Sequence, residues 1–171
     1  MGQDETYGSY VYQGVISFEF RALDMFTTQY MRIAEILNIE ITEEIEDIDD
    51  EAFDVTEENL LKFLNYLKGH IIYPCRLISI KHFRWEEDYF FGSGRKSEYE
   101  ELKKTRPTHL DTFHLIGFYG IDLETGVWVD VQRVSDHREF TLPLAELEIV
   151  DKESENYQLI DDYLLWFINN K

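Results

Sequence analysis

The sequence contains a single cysteine, Cys75, among 171 residues. One cysteine cannot form an intramolecular disulfide, and a zinc site built from several thiolates is excluded. The sequence also lacks a run of about 18 to 20 apolar residues, the length needed to cross a bilayer. Residues Met1–Glu5 do not resemble the basic and then apolar start of a secretion signal. We therefore expect a protein of the reducing cytoplasm with no membrane partner.

Basic residues are scarce, since Lys and Arg number 16 against 35 Asp and Glu, which gives a formal charge of −19. This charge repels phosphate backbones and anionic membrane surfaces, so nucleic acid is not an expected partner. It attracts basic protein surfaces and cations, and divalent ions most strongly. The 44% hydrophobic content is still large enough for a core. The composition therefore indicates a folded acidic binding protein.

Common catalytic signatures are absent as well. The sequence has no HExxH, GxGxxG, Walker or GxSxG pattern. Acid–base chemistry stays open as a minor alternative, because His82 lies near Glu86 in the sequence and His109 lies near Asp111. We expect a protein that is not an enzyme.

The first third of the chain forms an acidic N-terminal extension, residues 1–58. Aromatic and β-branched residues predict a strand or hairpin over Tyr7–Phe20. Apolar residues at helical spacing predict a helix over Thr27–Leu37. Between residues 40 and 58 every charged side chain is acidic. This stretch is either an acidic linker or an irregular acidic helix.

Part of this extension has the spacing of an EF-hand loop. Asp47, Asp49 and Glu51 occupy positions 1, 3 and 5 of a twelve-residue loop that ends at Glu58. The sixth position, which requires glycine for a sharp turn, is Ala52. An acidic surface patch is therefore favoured over an EF-hand.

The remaining residues, 59–171, predict an α+β domain. A helix begins at Thr56 and ends near Gly69, and a strand follows over Ile71–Phe83. A charged loop with one short helix comes next, over Arg84–Pro107. The short strands that follow are Thr112–Tyr119, Gly126–Val134 and Phe140–Leu144. Such spacing favours a small SH3-like β-barrel, closed by a C-terminal helix with Asn156 as its cap.

Several collinear segments carry a family resemblance. They are Tyr73-Pro74, Trp85-Glu86-Glu87, FGSGRKSEYEELKKTRPTHLDTF, LPLAELEIVDK and NYQLIDDYLLWF. Over about residues 59–171 the chain resembles the small acidic calcium-binding protein family first recognised in cyanobacteria. The resemblance implies a mixed fold with an SH3-like sheet, Ca²⁺ bound by surface carboxylates without an EF-hand loop, and no catalysis.

The matching segments and the acids beside them supply the candidate Ca²⁺ ligands: Glu86, Glu87, Asp88, Glu98, Glu101 and Asp111. Carboxylates suit Ca²⁺, a hard cation that takes about 6 to 8 oxygen ligands. On a helix Glu98 and Glu101 share a face, whereas Glu100 points elsewhere. The alternative interpretation is that these acids are ordinary solvated surface charges.

We therefore expect reversible Ca²⁺ binding, as a buffer or a sensor. The alternative is an acidic interaction module or inhibitor that binds a basic partner surface. Two further side chains have plain structural interpretations. Trp166 lies on an apolar helical stripe and is expected in the core, and Cys75 is expected to be a small buried residue rather than a reactive thiol.

Overall fold

The computed structural model describes residues 28–40 and 50–171. The chain divides into two compact units, Met1–Ile48 and Asp49–Lys171. In the first unit residues 28–37 form a helix, α1, which confirms the predicted helix over those residues. The predicted strand or hairpin Tyr7–Phe20 lies outside the described residues.

The second unit combines helices with one antiparallel sheet, so the predicted α+β class is confirmed. Its helices and strands are, in chain order, α2 Glu57–His70, β1 Cys75–Ser79, α3 Arg84–Phe90, α4 Lys96–Leu102, β2 Thr112–Asp122, β3 Gly126–Arg133, β4 Glu139–Pro143, β5 Leu147–Ile149 and α5 Glu155–Asn169. The strand order is β4-β3-β2-β1-β5. The charged loop before β2 thus holds two short helices, where the sequence predicted one.

The sheet is open, because β4 and β5 form its two edges among the described residues. It does not close into the predicted barrel, and the SH3-like detail is not confirmed. The two edge strands are nevertheless joined only by the 3₁₀ turn Leu144–Glu146. Four residue steps span at most about 14 Å, whereas five flat strands are about 19 Å across. The sheet must therefore be strongly curved.

Residues from β3, α2 and α5 build the core on the inner face of this sheet. Val127, Val129 and Val131 alternate along β3 and are fully buried. On the helices, the rings of Phe63 and Trp166 stack with centroids 4.6 Å apart. Trp166 is fully buried, which confirms its predicted core position.

The start of α2 is confirmed, whereas the predicted cap of α5 is wrong. Thr56 caps α2 by accepting a hydrogen bond from the Asn59 backbone N–H at 3.2 Å. The cap of α5 is Ser154. Asn156 is buried instead, and it both accepts from the Ile72 N–H and donates to the Ile72 carbonyl. Its amide satisfies backbone groups that no strand partner reaches.

Residues just before α2 belong to the second unit and pack against its helices. The indole of Trp166 donates to the Phe53 carbonyl at 2.7 Å, and Val55 donates to the Asn170 carbonyl at 3.1 Å. The side chain of Asn59 donates to the carbonyls of Ala52 and Asp54. These contacts tie the segment before α2 to α2 and α5. No helix within residues 28–40 or 50–171 is long and apolar enough to span a membrane.

Candidate metal centre

Glu86, a predicted ligand, lies in the first turn of α3 and is fully buried. One carboxylate oxygen, Oε2, accepts from the backbone N–H of Phe83 at 2.9 Å and of His109 at 3.0 Å. The other, Oε1, accepts from the Tyr99 hydroxyl at 3.0 Å and lies 3.0 Å from His109 Nδ1. These contacts occupy the carboxylate from several sides, as a buried acid requires. In this arrangement Glu86 organises the surrounding loops.

An aromatic layer separates Glu86 from water. The rings of Trp85 and Tyr99 stack with centroids 5.6 Å apart, and the Trp85 indole donates to the Pro107 carbonyl at 2.7 Å. Burial, followed by the hydrogen bond to Glu86, raises the pKa of Tyr99 to about 12. Tyr99 therefore stays a neutral donor to the carboxylate throughout the physiological range.

The exposed carboxylates of this segment are Glu87 and Asp88 on α3 and Glu98 and Glu101 on α4. The pKa of Tyr89 is raised, first by desolvation and then by a hydrogen bond to Glu98. The nearby negative charges of Glu98 and Asp88 raise it further, and the charge of Arg106 lowers it. One acid from each helix thus acts on the same hydroxyl. Asp88 and Glu98 are thus the two predicted ligands whose charges both influence Tyr89.

Glu101 and Asp111 have other partners. The carboxylate of Glu101 forms an ion pair of 2.6 Å with Lys104. Asp111 Oδ2 accepts from the Thr108 backbone N–H at 2.8 Å and from Arg133 Nη1 at 3.1 Å. Asp111 is therefore held by a cationic side chain.

Within the part of the chain that the structure describes, no group of three or more His, Cys, Asp or Glu side chains is arranged to hold a metal ion. The six-residue ligand set stays a prediction. Because Ca²⁺ also takes backbone carbonyls and water, a site that uses Asp88 and Glu98 would need such oxygens to complete its shell.

The histidines pair differently from their order in the sequence. His109 contacts Glu86 rather than its neighbour Asp111, and its ring lies against His82 with centroids 4.0 Å apart. The Glu86–His109 contact spans 23 positions. Sequence spacing cannot predict such a pair, because the path of the chain between α3 and β2 decides where His109 lies relative to Glu86.

Arg133, at the end of β3, is a functional candidate that no pattern in the sequence indicates. Its Nε and Nη2 donate to the two oxygens of Asp136 at 2.8 and 2.7 Å. The side-chain hydrogen bonds from Arg133 are the main reason that the pKa of Asp136 falls to about 2. Arg133 is only 3% exposed, which is unexpected because arginine is rarely so buried unless it is paired.

The EF-hand-like loop is only partly described, because Asp47 and Asp49 lie outside the described residues. Ala52 belongs to the 3₁₀ turn Asp50–Phe53. Glu58 lies in the first turn of α2, where it forms an ion pair of 2.9 Å with Lys62. The described part of this loop therefore contains a 3₁₀ turn and the start of α2, and its last acid has a cationic partner.

No protein-family model matches the sequence, and no curated protein does. Among solved structures, one named "Calcium binding protein in the calcium-binding form" is similar over 82% of this chain and 90% of its own, with 18% identity and a TM-score of 0.48. The crystal structure of Anabaena CcbP is similar over 82% of this chain and 89% of its own, with 20% identity and a TM-score of 0.48. The resemblance to cyanobacterial calcium-binding proteins is thus also found among solved structures. Neither similarity is close enough to carry a function over to this protein.

Proposed function

We propose that the protein binds Ca²⁺ reversibly at the junction of α3 and α4, as a buffer or sensor, without an EF-hand and without catalysis. The supporting observation is that Asp88 and Glu98, from different helices, both act on the hydroxyl of Tyr89. Two carboxylates close enough to Tyr89 to raise its pKa make the local potential more negative, which favours a divalent cation there. Glu87, exposed beside Asp88, offers a further oxygen donor.

The surrounding framework supports binding at this junction. The buried Glu86 holds α3, α4 and the His109 backbone through Phe83 and Tyr99, so the helix pair is fixed by hydrogen bonds before any ion arrives. Ligands held in place cost less entropy to order, which favours binding. In this proposal Glu86 positions the ligands and does not contact the ion.

The test is a calorimetric Ca²⁺ titration of chelator-treated protein, in millimolar Mg²⁺ and about 0.15 M salt, which screens weak surface condensation. We expect saturable binding of one or a few ions by the wild type and at least tenfold weaker binding by the Asp88→Asn/Glu98→Gln variant. The Glu139→Gln/Glu153→Gln variant removes the same charge at exposed positions elsewhere and should bind like the wild type. Equal weakening in both variants would contradict a site at this junction.

A second candidate function is favoured by an exposed aromatic surface formed by His82, Phe90 and Phe91. Phe91 is 78% exposed and Phe90 is 45% exposed, and both contact the His82 ring. Exposed aromatic side chains on an acidic protein suit an amphipathic basic partner. A cationic amphipathic peptide should then bind more weakly to Phe91→Ser, and its affinity should fall steadily with salt whichever acids are changed.

A further inference from the structure

The guanidinium of Arg133 lies among backbone carbonyl oxygens at the end of α4. Nη1 donates to the carbonyls of Lys103 and Arg106, and Nη2 donates to the carbonyl of Lys104, each at 3.0 Å. Helix α4 ends at Leu102. Carbonyls at and beyond a helix end have no partner within the helix and need one from elsewhere. Arg133 supplies that partner.

Two carboxylates and one ring complete the surroundings of this guanidinium. Asp136 accepts from Nε and Nη2, Asp111 accepts from Nη1, and the Phe140 ring lies 5.3 Å from the guanidinium carbon. All of the hydrogen-bond acceptors are oxygens. Carbonyl and carboxylate oxygens are the ligands that hard cations such as Ca²⁺ take in proteins. We call these five oxygen-donating residues, Lys103, Lys104, Arg106, Asp111 and Asp136, the oxygen cage.

We propose that the oxygen cage is a cation-binding site that the chain fills with its own guanidinium, and that Arg133 thereby excludes Ca²⁺ from Asp111 and Asp136. A guanidinium is always charged, and its planar donors match this set of acceptors, so the occupant is permanent. A calcium ion would have to displace every one of these hydrogen bonds. The part of this inference that concerns Ca²⁺ rests on the proposed function. With the cage filled by Arg133, Ca²⁺ would bind only at the junction of α3 and α4.

A cavity of about 340 Å³ adjoins the cage, lined in part by Arg133, Leu110 and Ser135. Through this cavity a small ion can reach the cage from solvent once the Arg133 side chain is shortened. Removing the guanidinium leaves three carbonyls and Asp111 without this cationic partner, and leaves Asp136 with only the longer ion pair of 3.7 Å to Arg138. The loss of positive charge favours uptake of a replacement cation.

The first experiment asks whether the cage binds a cation in trans. Arg133→Ala should melt at a lower temperature than the wild type. Millimolar guanidinium, far below denaturing concentrations, should raise the melting temperature of the variant by about 3 °C or more. Urea, which is planar but uncharged, should not, and the wild type should respond to neither. If the variant is unfolded at room temperature, recovery of its far-UV circular dichroism with guanidinium gives the same answer. No rescue beyond that by urea overturns the cage.

The second experiment tests exclusion of Ca²⁺. In calorimetric titration Arg133→Ala should bind one more Ca²⁺ per chain than the wild type, and Arg133→Ala/Asp111→Asn should lose that ion. Arg138→Ala removes the longer ion pair to Asp136, 3.7 Å, but leaves the guanidinium of Arg133 in place, so it should keep the wild-type stoichiometry. Unchanged stoichiometry in a folded Arg133→Ala protein overturns the exclusion. If the wild type binds no Ca²⁺, the proposed function is contradicted but the cage is not. Guanidinium rescue and the extra Ca²⁺ are both measured in the Arg133→Ala variant, so they do not depend on Ca²⁺ binding by the wild type.

Discussion

The hydroxyl of Tyr99 donates a hydrogen bond of 3.0 Å to the fully buried carboxylate of Glu86. The bond joins α4 to α3, and the same carboxylate holds the backbone of His109. A buried acid with this many donors is costly to replace, because each donor left without a partner retains its desolvation penalty. Glu86 and its neighbour Glu87, adjacent in the sequence, should therefore respond very differently to the same substitution.

We expect Glu86→Gln to lower the free energy of unfolding by roughly 2 kcal/mol or more, because an amide NH₂ must face groups that now donate to a carboxylate. Glu87→Gln, at an exposed position, should change it by less than about 0.5 kcal/mol. Urea unfolding followed by tryptophan fluorescence measures both. Equal urea midpoints for the two variants would show that the Glu86 hydrogen bonds contribute nothing to stability.

Gly126, at the start of β3, should tolerate no side chain. Its φ is +83°, a conformation that L residues rarely adopt, and an added Cβ would collide with the hydroxyl of Tyr163 and lie 3.0 Å from the Phe167 ring. That hydroxyl accepts from the Val127 N–H at 2.8 Å, so it cannot move freely. We expect Gly126→Ala to cost about 3 kcal/mol in thermal or urea unfolding.

Gly120→Ala is the matched control for this substitution. Gly120 lies in β2, and a Cβ there would meet no atom within 4 Å. It should change stability by less than about 1 kcal/mol. If the two variants unfold alike, the packing of Tyr163 against the start of β3 is not what makes Gly126 necessary.

Local patterns predicted the parts of the fold that local physics determines. The cap at Thr56 and the apolar face of α2 follow from spacing, and so does the alternation of valines along β3. By contrast, the three-residue strand β5 is too short to show an alternation of apolar and polar residues. The pairing of β1 with β5 depends on curvature of the whole sheet, which no segment encodes by itself. The sequence predicted a closed barrel, and the structure has an open sheet, because sheet closure also depends on curvature that no single segment encodes.

The candidate site was predictable only as a list of residue types. The sequence shows that Glu86, Asp88, Glu98 and Asp111 are acids, but not that Glu86 is buried beneath Tyr99. Burial depends on aromatic side chains from α3 and α4 that converge in three dimensions. The ion pair of Asp111 with Arg133, 22 positions away, likewise follows from the approach of the loop after α4 to the end of β3. Carboxylates that look equivalent in the sequence therefore have different roles.

The ion pair of Asp136 with Arg133 should make part of the stability depend on pH. The pKa of Asp136 is lowered from 3.8 to about 2, first because of the hydrogen bonds from Arg133. A lowered pKa means that the carboxylate stabilises the folded state above pH 4, and that this contribution is lost as the pH falls towards 2. Because Asp136 is partly exposed, we expect about 1 kcal/mol at neutral pH.

The measurement compares Asp136→Asn with the wild type in urea unfolding from pH 7 down to pH 2. The difference between their free energies of unfolding should be constant above about pH 4 and shrink below it. Glu139→Gln, at an exposed position near the same hairpin, should show no such convergence. A difference that persists unchanged at pH 2 would mean that Asp136 acts through packing and not through its charge.

Cys75, at the start of β1, should be nearly inert in the folded protein. Its side chain is 2% exposed, and burial raises the pKa of the thiol to about 11, an effect that a hydrogen bond with Asn156 only partly offsets. The thiolate is the reactive species, and at pH 8 it makes up only about a thousandth of such a thiol. Since this is the sole cysteine, a colorimetric thiol assay reports on it alone. We expect native protein to react at least about 100-fold more slowly than urea-unfolded protein. A native rate within a few-fold of the unfolded rate would mean that β1 opens readily, and the pairing of β1 with β2 and β5 would then be much weaker than its buried position implies.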